Sequence, residues 1–157
     1  MQYKLLSFAA LAASASAQSL QSVLGNTTNL SNLTTYVGLF PQILSTLQSA
    51  QNITILAPSN AAFAKFMNSS AGAALSGNNS AAIQALLMYH VLNGTHNASS
   101  ITGNATFLPT MLSDMAYANV TGGQRVEAIT EGKNVTFFSG LLQNATVSQA
   151  VGHFLIL

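Results

Sequence analysis

The fold of this chain is indicated by ten consecutive residues, Thr54-Ile55-Leu56-Ala57-Pro58-Ser59-Asn60-Ala61-Ala62-Phe63. The residues before Pro58 are apolar or β-branched, so residues 52–57 are predicted to form a buried strand. Ser59 or Asn60 then places a side-chain oxygen where it can accept from the free amides of a helix start. The stretch therefore predicts a strand, a turn and a short helix.

The flanking sequence predicts helices first and strands later. Apolar residues recur at helical spacing over residues 20–40, Pro41 opens another short helix, and Ser80 is expected to cap a longer helix that ends near His90. Hairpin signals lie at Gly122-Gly123 and at Glu131-Gly132. This order indicates an α+β domain. The predicted strands beyond residue 104 are 107–108, 116–121, 125–129 and 134–138.

Residues 1–17 have the features of a cleavable signal peptide. Lys4 precedes an apolar stretch over residues 5–13, and Ala15-Ser16-Ala17 offers the small residues of a cleavage site. The alternative, a buried N-terminal helix, does not explain that site. The apolar stretch is shorter than the roughly 20 residues that span a bilayer. We therefore expect a secreted protein without a transmembrane segment, in which residues 18–157 form one domain.

The composition excludes several classes of protein. The chain has no cysteine, which excludes disulfide scaffolds and thiol chemistry. Only 4% of its residues are charged and the formal net charge is +1. Nucleic-acid binding and polybasic membrane docking therefore lack an electrostatic driving force. A surface with so few charges would also be poorly soluble without another source of hydration.

Asparagine-linked sugars would supply that hydration. Twelve of the fourteen asparagines lie in N-x-[ST] sequons, the acceptor pattern for glycan transfer, where chance placement would give roughly three. Asn, Ser and Thr are also common in turns, but that alternative does not explain the repeated spacing of two. We expect glycosylation at several of the following: Asn26, Asn29, Asn32, Asn52, Asn68, Asn78, Asn93, Asn97, Asn104, Asn119, Asn134 and Asn144.

Three stretches together carry a resemblance to a known family. Residues 54–63 resemble the first signature of the fasciclin domain, and Leu86-Leu87-Met88-Tyr89-His90-Val91-Leu92 resembles its Tyr-His motif at a similar distance downstream. Residues 107–112 and 135–147 look like the later strands of that domain in its fungal form. The resemblance implies a β-wedge or sandwich with N-terminal and intervening helices packed along it.

The same resemblance implies a role in cell-surface or matrix adhesion. The Tyr-His motif of the family is taken as a receptor contact, which makes Tyr89, His90, Val91 and Leu92 the candidate binding residues here. Partners would be cell-surface or matrix glycoproteins. A structural alternative is that His90 hydrogen-bonds the turn of the first signature and holds Ser59 or Asn60 in place.

The C-terminal segment departs from the family pattern. Fasciclin domains close with a second signature strand, whereas this chain runs Ser148-Gln149-Ala150-Val151-Gly152-His153-Phe154-Leu155-Ile156-Leu157. We expect a closing strand near residues 148–157 that is incomplete or replaced, with lower stability and an open sheet edge that favours self-association. Residues 154–157 are too few for the hydrophobic tail of a glycolipid anchor.

Catalysis has little support in the residue types available. Glu127 and Glu131 are the only carboxylate pair that suggests a glycosidase, and they flank a predicted hairpin where charges usually face water. His90, His96 and His153 lack the spacing of a metal site, and no cofactor is expected. The function inferred is non-catalytic adhesion. Binding to wall polysaccharide, or a structural role in the wall, is the alternative.

Overall fold

The computed structural model describes residues 20–75 and 79–157. The predicted signal peptide, residues 1–17, and the sequon asparagine Asn78 lie outside the described residues. The helices are α1 (Leu20–Asn26), α2 (Ser31–Gly38), α3 (Pro41–Ser49), α4 (Asn60–Met67), α5 (Ser70–Leu75) and α6 (Ser80–Tyr89). The strands are β1 (Ile53–Ala57), β2 (Val91–Asn93), β3 (Thr106–Pro109), β4 (Arg125–Glu131), β5 (Asn134–Phe138), β6 (Asn144–Thr146), β7 (Gln149–Val151) and β8 (Phe154–Ile156).

The strands form two four-stranded sheets. The first has the order β2-β1-β8-β7, with β8 parallel to β1, and the second is an antiparallel meander in the order β3-β4-β5-β6. Strand β1 is buried at all five positions because both of its faces are covered. Ile55 and Ala57 pack against α1, α2 and α3, which we call the N-terminal helices. Leu56 packs with Leu92 and Leu155 against the second sheet. The α+β sandwich with helices along one side is therefore confirmed.

The turn after β1 forms as predicted. Ser59 is the N-cap of α4, and its Oγ accepts a hydrogen bond from the N–H of Ala62 at 3.3 Å. Asn60 has a separate task, since its amide nitrogen donates to the carbonyl of Thr28 and its amide oxygen accepts from the N–H of Asn32. The first turn of α4 is thus hydrogen-bonded to the start of α2 and to the turn that precedes it.

Three predicted details of the local structure are wrong. The cap of α6 is Asn79, whose side chain accepts from the N–H of Ala82, rather than Ser80. Residues 116–121 form no strand, because Asp114 accepts hydrogen bonds from the backbone amides that a strand would need. Its carboxylate accepts from the N–H of Ala116, and its carbonyl accepts from the N–H of Ala118. A turn and a loop result, so the hairpin expected at Gly122-Gly123 is also wrong: β4 pairs with β3, and the two glycines end the long loop between these strands. The hairpin at Glu131-Gly132 is confirmed, with Gly132 at φ +64°.

The C-terminal segment contributes to the centre of the first sheet. Strand β8 has three residues, lies between β1 and β7, and is completely buried. The pairing extends one residue further, because the N–H of Leu157 donates to the carbonyl of Ala57 at 2.9 Å. The edge position falls to the short strand β7. That β8 replaces a longer closing strand stays a prediction.

Candidate functional site

The four residues of the Tyr-His candidate site lie where α6 ends and β2 begins. His90 is the C-cap of α6, and its carbonyl accepts a hydrogen bond from the N–H of Leu56 at 2.8 Å. One residue on, the carbonyl of Val91 accepts from the N–H of Met111 at 2.7 Å. The segment is therefore bonded to β1 on one side and to the chain that follows β3 on the other.

The structure divides these four residues between surface and core. Val91 and Leu92 are 2% and 0% exposed, because β2 is covered by the helices on one face and by the second sheet on the other. A partner that docks on the folded surface would touch neither side chain. Tyr89 and His90 are half-buried, so they are the members of the motif that keep some exposure to solvent.

The His90 ring does not hold the first-signature turn. Its Nδ1 lies 2.8 Å from the carbonyl oxygen of Leu86, one helical turn earlier. The expected contact with Ser59 or Asn60 is therefore wrong, because the C-terminal carbonyls of α6 offer a nearer acceptor. Burial lowers the pKa of His90 below its ordinary value of 6.5, although the Leu86 carbonyl acts in the opposite direction.

Tyr89 reaches a loop that is distant in sequence. Its hydroxyl oxygen accepts a hydrogen bond from the N–H of Gly140 at 3.2 Å. Gly140 belongs to residues 139–143, which connect β5 to β6 and which we call the apolar loop. Within it, Ser139 Oγ accepts from the amides of Leu141 and Gln143, and the Ser139 carbonyl accepts from Leu142. These bonds give the loop a defined shape.

The apolar loop presents two leucines to solvent. Leu141 is 87% exposed and Leu142 is 79% exposed, the highest fractions among the large apolar side chains of the described residues. Leu142 also has φ +58°, a left-handed conformation that is costly for a residue with a Cβ. Sequence reasoning did not identify this pair, because neighbouring residues do not indicate exposure or a positive φ.

The sequon asparagines have a common environment. Each of the eleven that lie in the described residues is exposed. Asn60, which is outside any sequon, is half-buried and hydrogen-bonded instead. Asn144 lies two residues beyond Leu142, so a glycan there would border the apolar loop.

No metal-binding group of three or more His, Asp or Glu residues occurs among the described residues. Glu127 and Glu131 lie four residues apart on β4, which places their Cα atoms about 14 Å from each other at 3.4 Å per residue. In the described part of the chain no helix has the length and apolar character needed to cross a membrane.

The comparisons with known proteins agree with this architecture. The family model of the fasciclin domain matches residues 25–152. The chain belongs to the fasciclin-domain family. The fasciclin domain described here is also 32% identical over 119 residues to a fasciclin-like arabinogalactan protein of Arthroderma benhamiae. That match covers 75% of this chain and 28% of the relative, so this chain spans less than a third of the relative's length.

A solved structure shares the fold of this fasciclin domain. It is a FAS1 domain pair from the insect cell adhesion molecule Fasciclin I, with a TM-score of 0.57 and 19% sequence identity. The match covers 82% of this chain and 43% of the insect chain. The family match stops at residue 152, before β8, whereas the structure places β8 in the centre of the first sheet.

Proposed function

We propose that this protein is a secreted, N-glycosylated and non-catalytic fasciclin-domain protein that mediates adhesion at the cell surface or in the extracellular matrix. The exposure of all eleven described sequon asparagines carries the proposal. Glycan transfer needs accessible chain in an exported protein, and a folded domain with bulky sugars must keep those positions at its surface. Sugars would also hydrate a surface that has few charges.

We infer that the partner docks on the apolar loop and on the adjacent Tyr89. Exposed apolar side chains on a well-defined backbone are suited to partner contact, because they are desolvated with little loss of conformational entropy. Leu142 supports this interpretation. Its backbone conformation is strained, and in the isolated domain this cost is not offset by burial of the side chain.

The arrangement of carboxylates supports a non-catalytic role. Glu127 and Glu131 lie along one strand with their Cα atoms about 14 Å apart, whereas the two carboxyl groups of a glycosidase flank the bond that is cleaved. Asp114 is engaged with the amide of Ala116 at 2.9 Å. These three residues are the acidic side chains of the chain.

Export and glycosylation are tested by expression in a eukaryotic secretion host. We expect the protein in the medium, beginning at Gln18, and a loss of mass on treatment with an N-glycosidase. Mass spectrometry of the glycopeptides would identify the occupied sequons. Retention of the whole chain inside the cell, or an unchanged mass after the N-glycosidase, would contradict the proposal.

Adhesion is tested on surfaces coated with the purified protein. The double variant Leu141→Ser, Leu142→Ser should reduce cell attachment several-fold. Leu39→Ser is the matched control, because Leu39 is 68% exposed and lies at the C-cap of α2, outside the apolar loop. Equal attachment of cells to the double variant and to the protein without these substitutions would exclude this docking surface. Retention on wall polysaccharide, with no attachment of cells, would favour the alternative function.

A further inference from the structure

A cavity of about 210 Å³ lies between the N-terminal helices and the first sheet. Helices α1, α2, α4 and α6 contribute to its wall, together with β1 and β8. Among the described residues that line it, only Tyr36 and His90 carry polar side-chain atoms. The cavity is therefore an apolar space with two polar positions, and it is separate from the apolar loop.

His90 lines this cavity, and its imidazole has one hydrogen-bonding position that no described residue occupies. The Leu86 carbonyl can only accept, so the proton of the imidazole lies on Nδ1 and the 2.8 Å contact is a donated bond. Because burial lowers the pKa of His90, the ring stays neutral at neutral pH. Its Nε2 then holds a lone pair, and no hydrogen bond from the described residues reaches that atom.

The size and charge of the cavity limit what can occupy it. An apolar cavity of roughly 150 Å³ binds benzene, so a volume of about 210 Å³ has room for a substituted ring or a short branched chain. No charged side chain lines it in the described part of the chain, which disfavours an ionic ligand. An acceptor at Nε2 calls for a ligand that carries a donor.

We propose that this cavity binds a small, neutral, largely apolar molecule whose hydroxyl group donates a hydrogen bond to Nε2 of His90. A phenol or a short-chain alcohol has this chemistry. The apolar part of the ligand would contact the leucine and phenylalanine side chains of α2, α4 and α6. This site is independent of the glycans and of adhesion, so either proposal can fail without the other.

The hydrogen bond is tested with p-cresol and p-xylene, which have similar shapes and differ in a hydroxyl group. Their affinities for the secreted protein and for His90→Leu are measured by titration calorimetry. For each ligand, the affinity for His90→Leu is compared with the affinity for the unsubstituted protein, so the difference in hydration between the two compounds cancels. We expect His90→Leu to weaken p-cresol about tenfold more than p-xylene, because the hydroxyl is left without a partner. An equal change for both ligands would overturn the proposal.

The location is tested with two substitutions on α4. Ala62→Met should fill part of the cavity and weaken both ligands by about tenfold. Ala64→Met is the matched control, since Ala64 is exposed on the same helix and does not line the cavity. If neither ligand binds up to its solubility limit, or if the two variants behave alike, the cavity is not a binding site. This comparison of Ala62→Met with Ala64→Met remains a valid test even if His90→Leu does not fold.

Discussion

The hydroxyl oxygen of Tyr89 accepts a hydrogen bond from the backbone N–H of Gly140 at 3.2 Å, across 51 positions of sequence. This bond joins the last residue of α6 to the apolar loop of the second sheet. It gives the tyrosine of the Tyr-His motif a structural task next to the most exposed leucines of the described chain.

Tyr89→Phe should therefore loosen the apolar loop. The change removes an acceptor and leaves the ring, so we expect a loss of about 1 kcal/mol in the free energy of unfolding. Amide exchange at Gly140 should quicken and cell attachment should fall. Denaturant unfolding and hydrogen exchange measure the two effects. Tyr117→Phe, on an exposed tyrosine, is the control and should change neither. Unchanged exchange at Gly140 would contradict this role.

Stability should depend on pH through His90. Burial lowers its folded-state pKa, so the unfolded chain binds a proton first as the pH falls. The contribution of the neutral ring is complete above about pH 6.5, and it is lost as the pH falls from there toward the folded-state pKa, by up to about 1.4 kcal/mol per pH unit. Tyr36 is the other titratable residue that lines the cavity.

The measurement is chemical unfolding of the unmodified protein and of His90→Gln between pH 4 and pH 8. Glutamine can still donate to the Leu86 carbonyl but does not titrate. We expect the stability difference between the two proteins to shift in favour of the variant below about pH 6.5. Parallel stability curves across the range would show that His90 does not titrate in this way.

Thr54 combines a sequon position with a core position. It is 0% exposed, and its Oγ1 donates to the carbonyl of Gly94 at 2.9 Å and accepts from the N–H of His96 at 2.7 Å. Thr54→Val leaves both partners unsatisfied and should cost about 2 kcal/mol of unfolding free energy. It also removes the sequon of Asn52.

Two controls separate these effects. Thr54→Ser keeps the hydroxyl and the sequon, while Asn52→Gly removes only the sequon and suits the φ of +56° at that position. Urea unfolding of each variant, expressed in the eukaryotic secretion host, should show a large loss of stability for Thr54→Val alone. A comparable loss in Asn52→Gly would mean that the glycan, rather than the buried hydroxyl, stabilises this strand.

The short strand β8 should be essential to the core. Phe154 is 1% exposed and belongs to the cluster between the first sheet and the N-terminal helices. Phe154→Ala should cost about 3 to 5 kcal/mol, measured by denaturant unfolding. Gln149→Ala on the exposed edge strand β7 should change stability by less than about 0.5 kcal/mol. A small effect of Phe154→Ala would remove β8 from the cooperative core.

Local chemistry made much of the fold predictable. The apolar run of β1, its end at Pro58 and the serine cap of α4 depend on adjacent residues, and the structure has all three. Asp114 shows the limit of such reasoning. The apolar and β-branched residues after it suggested a strand, but its own carboxylate captured the amide of Ala116 and produced a turn.

The candidate site was harder to predict. The sequence pointed to residues 89–92 as a group, but burial separates Val91 and Leu92 from Tyr89 and His90. The expected bond from His90 to the first-signature turn was wrong because a carbonyl of its own helix lies closer. The sequence did not indicate the apolar loop, because leucine is a residue type that usually lies in a core.

The sequence alone determined the buried strand with its capped turn and the twelve N-x-[ST] sequons, because each depends on two or three neighbouring side chains. The tertiary structure alone decided which half of the Tyr-His motif is fully buried, where the leucines of the apolar loop lie, and that a cavity opens beside His90. These features depend on contacts between segments far apart in the chain, such as Tyr89 with Gly140, and burial is a property of the packed whole.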